Sequence, residues 1–185
     1  VITAWNGYMI TTLALAGRQL DEPRYLEAAE RAAGFVLGQL YDDGMLYRDW
    51  RDGVRGVNGF NEDYAALAEG LLSLYRVTGE RRWLTRARAL VDRQLELFWD
   101  DTRGGFYNSA GGAAAWLRGK QLVDGASVAD NAVSVHVLLT LARLTGEQDY
   151  RRRARQTAGW AIARLGEAPS DMPYMLRAWP QLLKE

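Results

Sequence analysis

The sequence predicts an all-α domain of the α/α-toroid class, and three observations carry that reading. A helix–turn–helix pattern occurs three times, as LALAGRQLDEPRYLEAA from Leu13, LLSLYRVTGERRWLTRA from Leu71 and LLTLARLTGEQDYRRRA from Leu138. Self-similarity on this scale marks stacked helical units. The helices also alternate in charge: AWNGYMITTLALAG and NAVSVHVLLTLA carry none, whereas RRWLTRARALVDRQLELF is charged along one face. A helix apolar all round is buried and an amphipathic one lies outside it, so each repeat is an inner helix followed by an outer one. Finally, the connections alternate between tight inner-to-outer turns and long outer-to-inner segments, near 41–60 and 99–129.

The elements follow in order. Helices are expected near 4–20, 22–40, 61–77, 80–98, 130–144, 147–165 and 171–183. Seven helices make a partial (α/α)6 barrel, a form that takes twelve when closed. Pro23 suits the first position of the second helix, where its missing N–H is not needed. Gly79 and Gly146, in Thr78-Gly79-Glu80 and Thr145-Gly146-Glu147, end one helix ahead of a Glu that opens the next. Tyr25, Trp83 and Tyr150 fall at one repeat position, as do Ala28, Ala87 and Ala154 with a one-residue drift. Asn61 reads as the N-cap of the third helix, with Glu62 and Asp63 in its first turn. The long connections hold the extended pieces: MLYRDW from Met45, GGFYNS from Gly104 and a shorter KQLV from Lys120, with a hairpin turn at Asp52-Gly53. Pro180 should interrupt the last helix, which starts after Ser170.

Composition narrows the function. The 185 residues suffice for one domain with a real core, and 23 basic residues balance 23 acidic ones. No net charge draws the chain to nucleic acid or a membrane surface. Cysteine is absent, which excludes disulfides, thiolate metal sites and cysteine nucleophiles. No apolar run approaches a membrane span and no signal peptide is visible, so a cytoplasmic protein without metal or cofactor is expected. Seven Trp and nine Tyr suit either a core or a cleft for sugar rings. The chain opens at Val1 and runs almost at once into an apolar helix, which reads as part of something longer.

Loop lengths locate a candidate site. The short turns lie at one end, so the long loops gather at the other, beside the N-termini of the inner helices. Aligning the repeats puts Asn6, Tyr64 and Asn131 at equivalent positions there, with Trp5, Glu62, Asp63, Asp124 and Asp130 alongside. Glu62, Asp63, Tyr64, Asn6, Asp124 and Asn131 are expected on one concave end. Carboxylates, amides and aromatics together suit a polyol, and paired carboxylates suit glycoside acid–base chemistry, with Asp63, Asp124 and Glu62 as the catalytic candidates. Trp5, Asn6, Tyr64, Asn131 and His136 form the substrate-binding set. Each of these polar residues is also what a helix start prefers, so the case rests on their coincidence. His136, the only histidine, stands mid-helix, where a lone His reads first as a core residue. No second His serves a metal site or a two-histidine mechanism. RDGVRGVNG from Arg51 lacks the spacing and Lys of a phosphate loop. YRRRAR from Tyr150 reads as a solvated outer face, and Asp100 with Asp101 as at most a weak cation site.

Four motifs in order, AWNGYMI, RDG with GFNEDYAALAEGLLSLY, LFWDDTRGGFY and DGASVADNAVSV, resemble the C-terminal region of spermatogenesis-associated thioredoxin-like proteins and their bacterial relatives. The resemblance covers essentially the whole chain. It implies an (α/α)6 barrel similar to those of N-acylglucosamine 2-epimerases and six-hairpin glycosidases, preceded in family members by a thioredoxin-like domain. Trp5, Asn6, Gly7, Glu62, Asp63, Tyr64, Asp124, Gly125 and Asn131 match the family's motif residues. Val128-Ala129-Asp130 departs from a Pro-Ser-Gly run usual in the family. The implied function is carbohydrate-related, glycosidase-like or epimerase-like, and the alternative is a non-catalytic binding or scaffold domain serving a redox domain. The thioredoxin-like domain and the first half of the barrel are expected to be missing here. An open barrel edge is expected to be covered by that missing half or by a second copy in a homodimer.

Overall fold

A computed structural model describes residues 1–111, 118–164 and 169–183. The chain forms two compact units, Val1–Gln94 and Leu95–Glu185. Six long helices stand within a few residues of their expected places: α1 (Thr3–Gln19), α2 (Pro23–Gln39), α3 (Asn61–Thr78), α4 (Arg81–Phe98), α5 (Asp130–Thr145) and α6 (Gln148–Ile162). Leu165, the expected end of the sixth helix, lies outside the described residues. The last helix is broken as expected. A single 3-10 turn (Pro169–Asp171) leads into α7 (Pro173–Arg177), and Ala178 separates this from α8 (Trp179–Leu182). Pro180 has no N–H to donate back to Leu176, which ends the continuous ladder there.

In the first unit, α1 packs against α2 and α3. Glycine permits the α1–α3 approach: a Cβ on Gly7 would stand 2.4 Å from the Ala66 carbonyl carbon, and one on Gly70 2.9 Å from the Gly7 oxygen. Ile10, Ala14, Leu67, Leu71 and Leu74 are fully buried in this layer. Gly79 closes α3 in the left-handed conformation, at φ 73°, and Gly146 closes α5 at φ 77°. Both are the glycines the repeat marked. In the second unit α5 packs against α6 and α7.

The long connection after α2 folds into two hairpins. Strands β1 (Tyr41–Asp42) and β2 (Met45–Leu46) pair antiparallel, as do β3 (Trp50–Arg51) and β4 (Val54–Arg55). Asp43-Gly44 and Asp52-Gly53 turn them, all four residues having positive φ. That is the twist a two-residue hairpin requires. The second turn was expected; the first hairpin goes beyond the sequence reading.

Several expectations need correcting. Phe60, not Asn61, is the N-cap of α3, and Asn61 is the first helical residue, fully buried, accepting from Gln94 Nε2 at 2.7 Å. GGFYNS contributes only an isolated bridge between Trp99 and Phe106, and KQLV forms no strand. Ala29, not Ala28, matches Ala87 and Ala154: all three are fully buried four residues after Tyr25, Trp83 and Tyr150. The repeat therefore runs without drift, one turn of helix separating the aromatic from the alanine.

Two glycine substitutions test this packing. Gly7→Ala drives a methyl into the α3 backbone and should lower stability by about 1–3 kcal/mol in urea denaturation. Gly34→Ala, on α2 with nothing within 4 Å of the added carbon, should instead raise it by about 0.5–1 kcal/mol through helix propensity.

Candidate functional site

Asp63 sits at the centre of the first unit's candidate set. It is the third residue of α3 and is fully buried. Its Oδ2 accepts from the Phe60 N–H at 2.9 Å, and its Oδ1 accepts from the Ala4 N–H at 3.0 Å. Phe60 has no side-chain acceptor, so only the carboxylate half of a capping box forms here. Each bond satisfies an orphan amide at a helix start, one on its own helix and one on α1. Arg48 Nη1 donates to Oδ2 at 3.2 Å. Burial pushes the Asp63 pKa up from 3.8 to about 6, although the Phe60 amide, the Arg48 charge and the Ala4 amide all favour the anion.

Glu62 is the more accessible carboxylate. Its Oε2 stands 3.6 Å from the same Arg48 Nη1, and its side chain and that of Arg48 are partly open, at 18% and 32%. The Arg48 guanidinium lies over the Phe60 ring, 5.0 Å from its centroid. Sequence reasoning missed Arg48; its place in MLYRDW, ahead of a hairpin, gave no signal of its destination. Trp5 follows Ala4, is 64% exposed and opens onto solvent. Asn6 Nδ2 donates to the Ile2 carbonyl at 2.7 Å, within its own helix start. Tyr64 is fully buried, and its hydroxyl accepts from the Leu46 N–H at 2.9 Å, pinning the first hairpin to α3. Thr3 donates its hydroxyl to the Tyr47 carbonyl at 2.6 Å, tying the same hairpin region to α1.

The second unit holds Asp124, Asn131 and His136. Asp124 Oδ1 accepts from the Ala129 N–H and Oδ2 from the Tyr174 N–H, each at 2.8 Å. His136 Nε2 meets the Tyr174 carbonyl at 3.0 Å with the two rings edge to face, and burial lowers its pKa so that the neutral ring is favoured. These two residues together hold the start of α7. Asn131, fully buried, acts as a strand edge toward Phe106: Oδ1 accepts from its N–H at 2.7 Å and Nδ2 donates to its carbonyl at 2.9 Å. Asp130, also buried, accepts from Asn131 Nδ2 at 3.1 Å.

Asp100, considered from sequence for a cation, is matched by one from the chain itself. Lys120 Nζ donates to its Oδ2 at 2.7 Å and to the Gly104 carbonyl, over the Tyr107 and Trp160 rings at 4.9 Å each. The Asp100 Oδ1 accepts from the Thr102 hydroxyl and from the Thr102 and Arg103 amides. Burial opposes its charge, yet the Lys120 and Thr102 hydrogen bonds hold its carboxyl well below the usual range. Among the described residues no cluster of His, Cys, Asp and Glu could hold a metal ion, and no helix is long and apolar enough to cross a membrane.

Inner helices joined to charged outer ones, with long connections at the inner helices' starts, define the α/α-toroid fold, here a partial (α/α)6 barrel. A family 76 α-mannanase of Bacteroides thetaiotaomicron superposes with TM-score 0.70 at 18% identity, over 88% of this chain and 44% of its own. A cellobiose 2-epimerase from Spirochaeta thermophila gives 0.65 at 22%, over 91% and 44%. In sequence the chain is homologous to spermatogenesis-associated protein 20 of Homo sapiens, 35% identical over 190 residues, which covers 96% of this chain and 24% of the relative. The chain thus spans about a quarter of the length of the curated relatives it matches. No protein-family model matches it.

Two buried carboxylates give separate expectations. Because the folded pKa of Asp63 is raised, its protonation favours the native state: the contribution is complete below about pH 4 and is lost as pH rises through about 6. This group alone should make stability fall by about 2–3 kcal/mol across that window. Denaturation of the wild type and Asp63→Asn from pH 4 to 7 checks this, the variant showing a flatter profile. Asp63→Ala, which strands the buried Ala4 N–H and the part-buried Phe60 N–H, should cost about 2–4 kcal/mol near pH 4 and less as pH rises through about 6. Lys120→Met leaves the Asp100 charge buried without its counterion and should lower stability by about 3–5 kcal/mol at pH 7, measured in the same way.

Proposed function

We propose that residues 1–185 form part of a carbohydrate-binding α/α toroid whose ligand face lies at the starts of α1 and α3. The observation that carries this reading is the partly open Arg48–Glu62 pair with the exposed Trp5, the two flanking the buried Ala4–Asp63 hydrogen bond. An open indole offers a stacking surface to a pyranose ring, and a carboxylate beside a guanidinium offers an acceptor and donors to its hydroxyls. Glu62 is the ligand-facing carboxylate. Asp63 is a positioning residue that holds Arg48 and joins the two helix starts. Tyr64 sets the backbone beside the face rather than touching a sugar, and Asp124, Asn131 and His136 hold backbone within the second unit. Similarity in fold to a mannanase and a cellobiose 2-epimerase supports the ligand class.

Catalysis is the second reading, and Glu62 carries it. A glycosidase-like reaction needs one carboxylic acid to protonate the leaving oxygen and one carboxylate to act on water or on the anomeric carbon. Glu62 is open enough for one of those roles. Asp63, engaged by two amides, is poorly placed for the other, and one histidine serves an epimerase-like proton exchange poorly. These engagements favour binding over turnover. The motif resemblance alone supports the alternative, a binding or scaffold domain working beside a thioredoxin-like redox domain.

Titration calorimetry with cellobiose and an α-1,6-linked mannotriose, followed by chromatography of the sugars, tests the proposal. Binding of at least one sugar is expected, weakened about tenfold by Trp5→Ala and by Glu62→Gln with the fold intact by circular dichroism. No binding by either sugar, or binding indifferent to both substitutions, would overturn it. Turnover lost in Glu62→Gln would establish the catalytic reading instead.

A further inference from the structure

One face of α1 is unlike any other open helix face in the first unit. Trp5, Met9, Thr12, Ala16 and Gln19 follow each other at three- and four-residue steps, so they lie along one side of the helix. All are exposed or half-buried, with Met9 at 54%, and Leu15 flanks the row at 41%. The opposite side, Gly7, Ile10, Ala14 and Gly17, is the buried one. No charge appears in α1 before Arg18. The open faces of the outer helices differ: α2 presents Arg24, Glu27 and Arg31 to water, and α4 presents Arg81, Arg86 and Arg88. By composition α1 is an inner helix like α3, whose sides are almost wholly buried.

The face is also ready for burial. Polar groups entering an apolar contact cost free energy unless already hydrogen-bonded. Thr12 donates its hydroxyl to the Tyr8 carbonyl at 3.0 Å, and Thr11 to that of Gly7 at 3.1 Å. What the middle of the row offers a neighbour is therefore a thioether, methyl groups and a satisfied hydroxyl. An uncharged strip of this length in water is uncommon on a monomer.

We infer that this face of α1 seats a further inner helix of the same toroid, supplied by polypeptide outside residues 1–185. The occupant is a helix of inner-type chemistry, uncharged and rich in small and aliphatic residues, packed side by side with α1 as α3 is on the other flank. Chain length argues for this source. The mannanase and the epimerase each match the chain over nine-tenths of its residues or nearly so, yet the match covers 44% of either. More than half of each of those chains has no counterpart here, and an open inner helix is where a toroid would continue. Trp5 stands at the rim of this face, one turn before Met9, and the inference does not depend on the sugar-binding proposal.

Cysteine labelling of the full encoded polypeptide tests it, since residues 1–185 contain no cysteine. Met9→Cys samples the face, and Gly34→Cys, at a position with nothing within 4 Å of the added carbon, samples an open one. Maleimide uptake is read at each position by peptide mass spectrometry, with solution mass measured by light scattering at the same concentrations. The expected result is a monomer in which position 9 labels on the order of tenfold or more slower than position 34. Equal labelling would overturn the inference, because the face would be open. Protection that appears only where the mass doubles would overturn it too, giving the face to a second copy.

Discussion

The first unit depends on one buried carboxylate. Helix starts carry amides with no partner inside the helix, and α1 and α3 both begin in the protein interior. Asp63 accepts one amide from each and holds Arg48 from the hairpin loop. Three segments far apart in sequence are thereby fixed at a single pair of oxygens. The helix dipoles favour a negative charge at that point, yet burial penalises it, and the compromise is a carboxylate that titrates near pH 6. Glu62 and Trp5 are positioned by this junction: each is the next residue along from one of its ends.

The second unit solves the same problem with different side chains. Asn131 substitutes for a strand edge and binds both backbone groups of Phe106, while Asp124 and His136 engage the N–H and the carbonyl of Tyr174. Asn131, at the start of an inner helix, fixes backbone from a long connection, whereas Asp124 and His136 fix the start of α7. Long loops over a helix end leave many amides to satisfy, and these side chains satisfy them. Within each unit these motif residues make their hydrogen bonds largely to backbone groups.

Helices were legible from sequence because their signals are local. The repeat, Gly79, Gly146 and Pro23 each act within a few residues and found their expected roles, while of the two uncharged helices α5 is buried and α1 leaves one face open. The strand at KQLV and the cap at Asn61 failed because local preference was overruled by tertiary demand. A polar amide chosen for a cap was buried against Gln94 instead, and an apolar Phe60 took the cap position because Asp63 could reach back to its amide. Asp63 and Glu62 stand out in the sequence as a pair, yet nothing in NED says which of them faces water. That depends on Ala4, fifty-nine residues away. Arg48 and Lys120 could not be assigned for the same reason: a basic residue in a loop is read as solvated until its acceptor is known.

The choice of lysine at position 120 carries a chemical consequence. Of the 23 basic residues only Lys120 and Lys184 are lysines, the rest being arginines. The Lys120 ammonium is roofed by two aromatic rings and bonded to Asp100 and Gly104, with 7% of its side chain open. An acyl donor or cross-linker that attacks primary amines must therefore wait for this loop to come apart before it can react there. Acylation at position 120 is a clock for local opening, and enzymes that modify lysines on native surfaces will find this part of the protein silent.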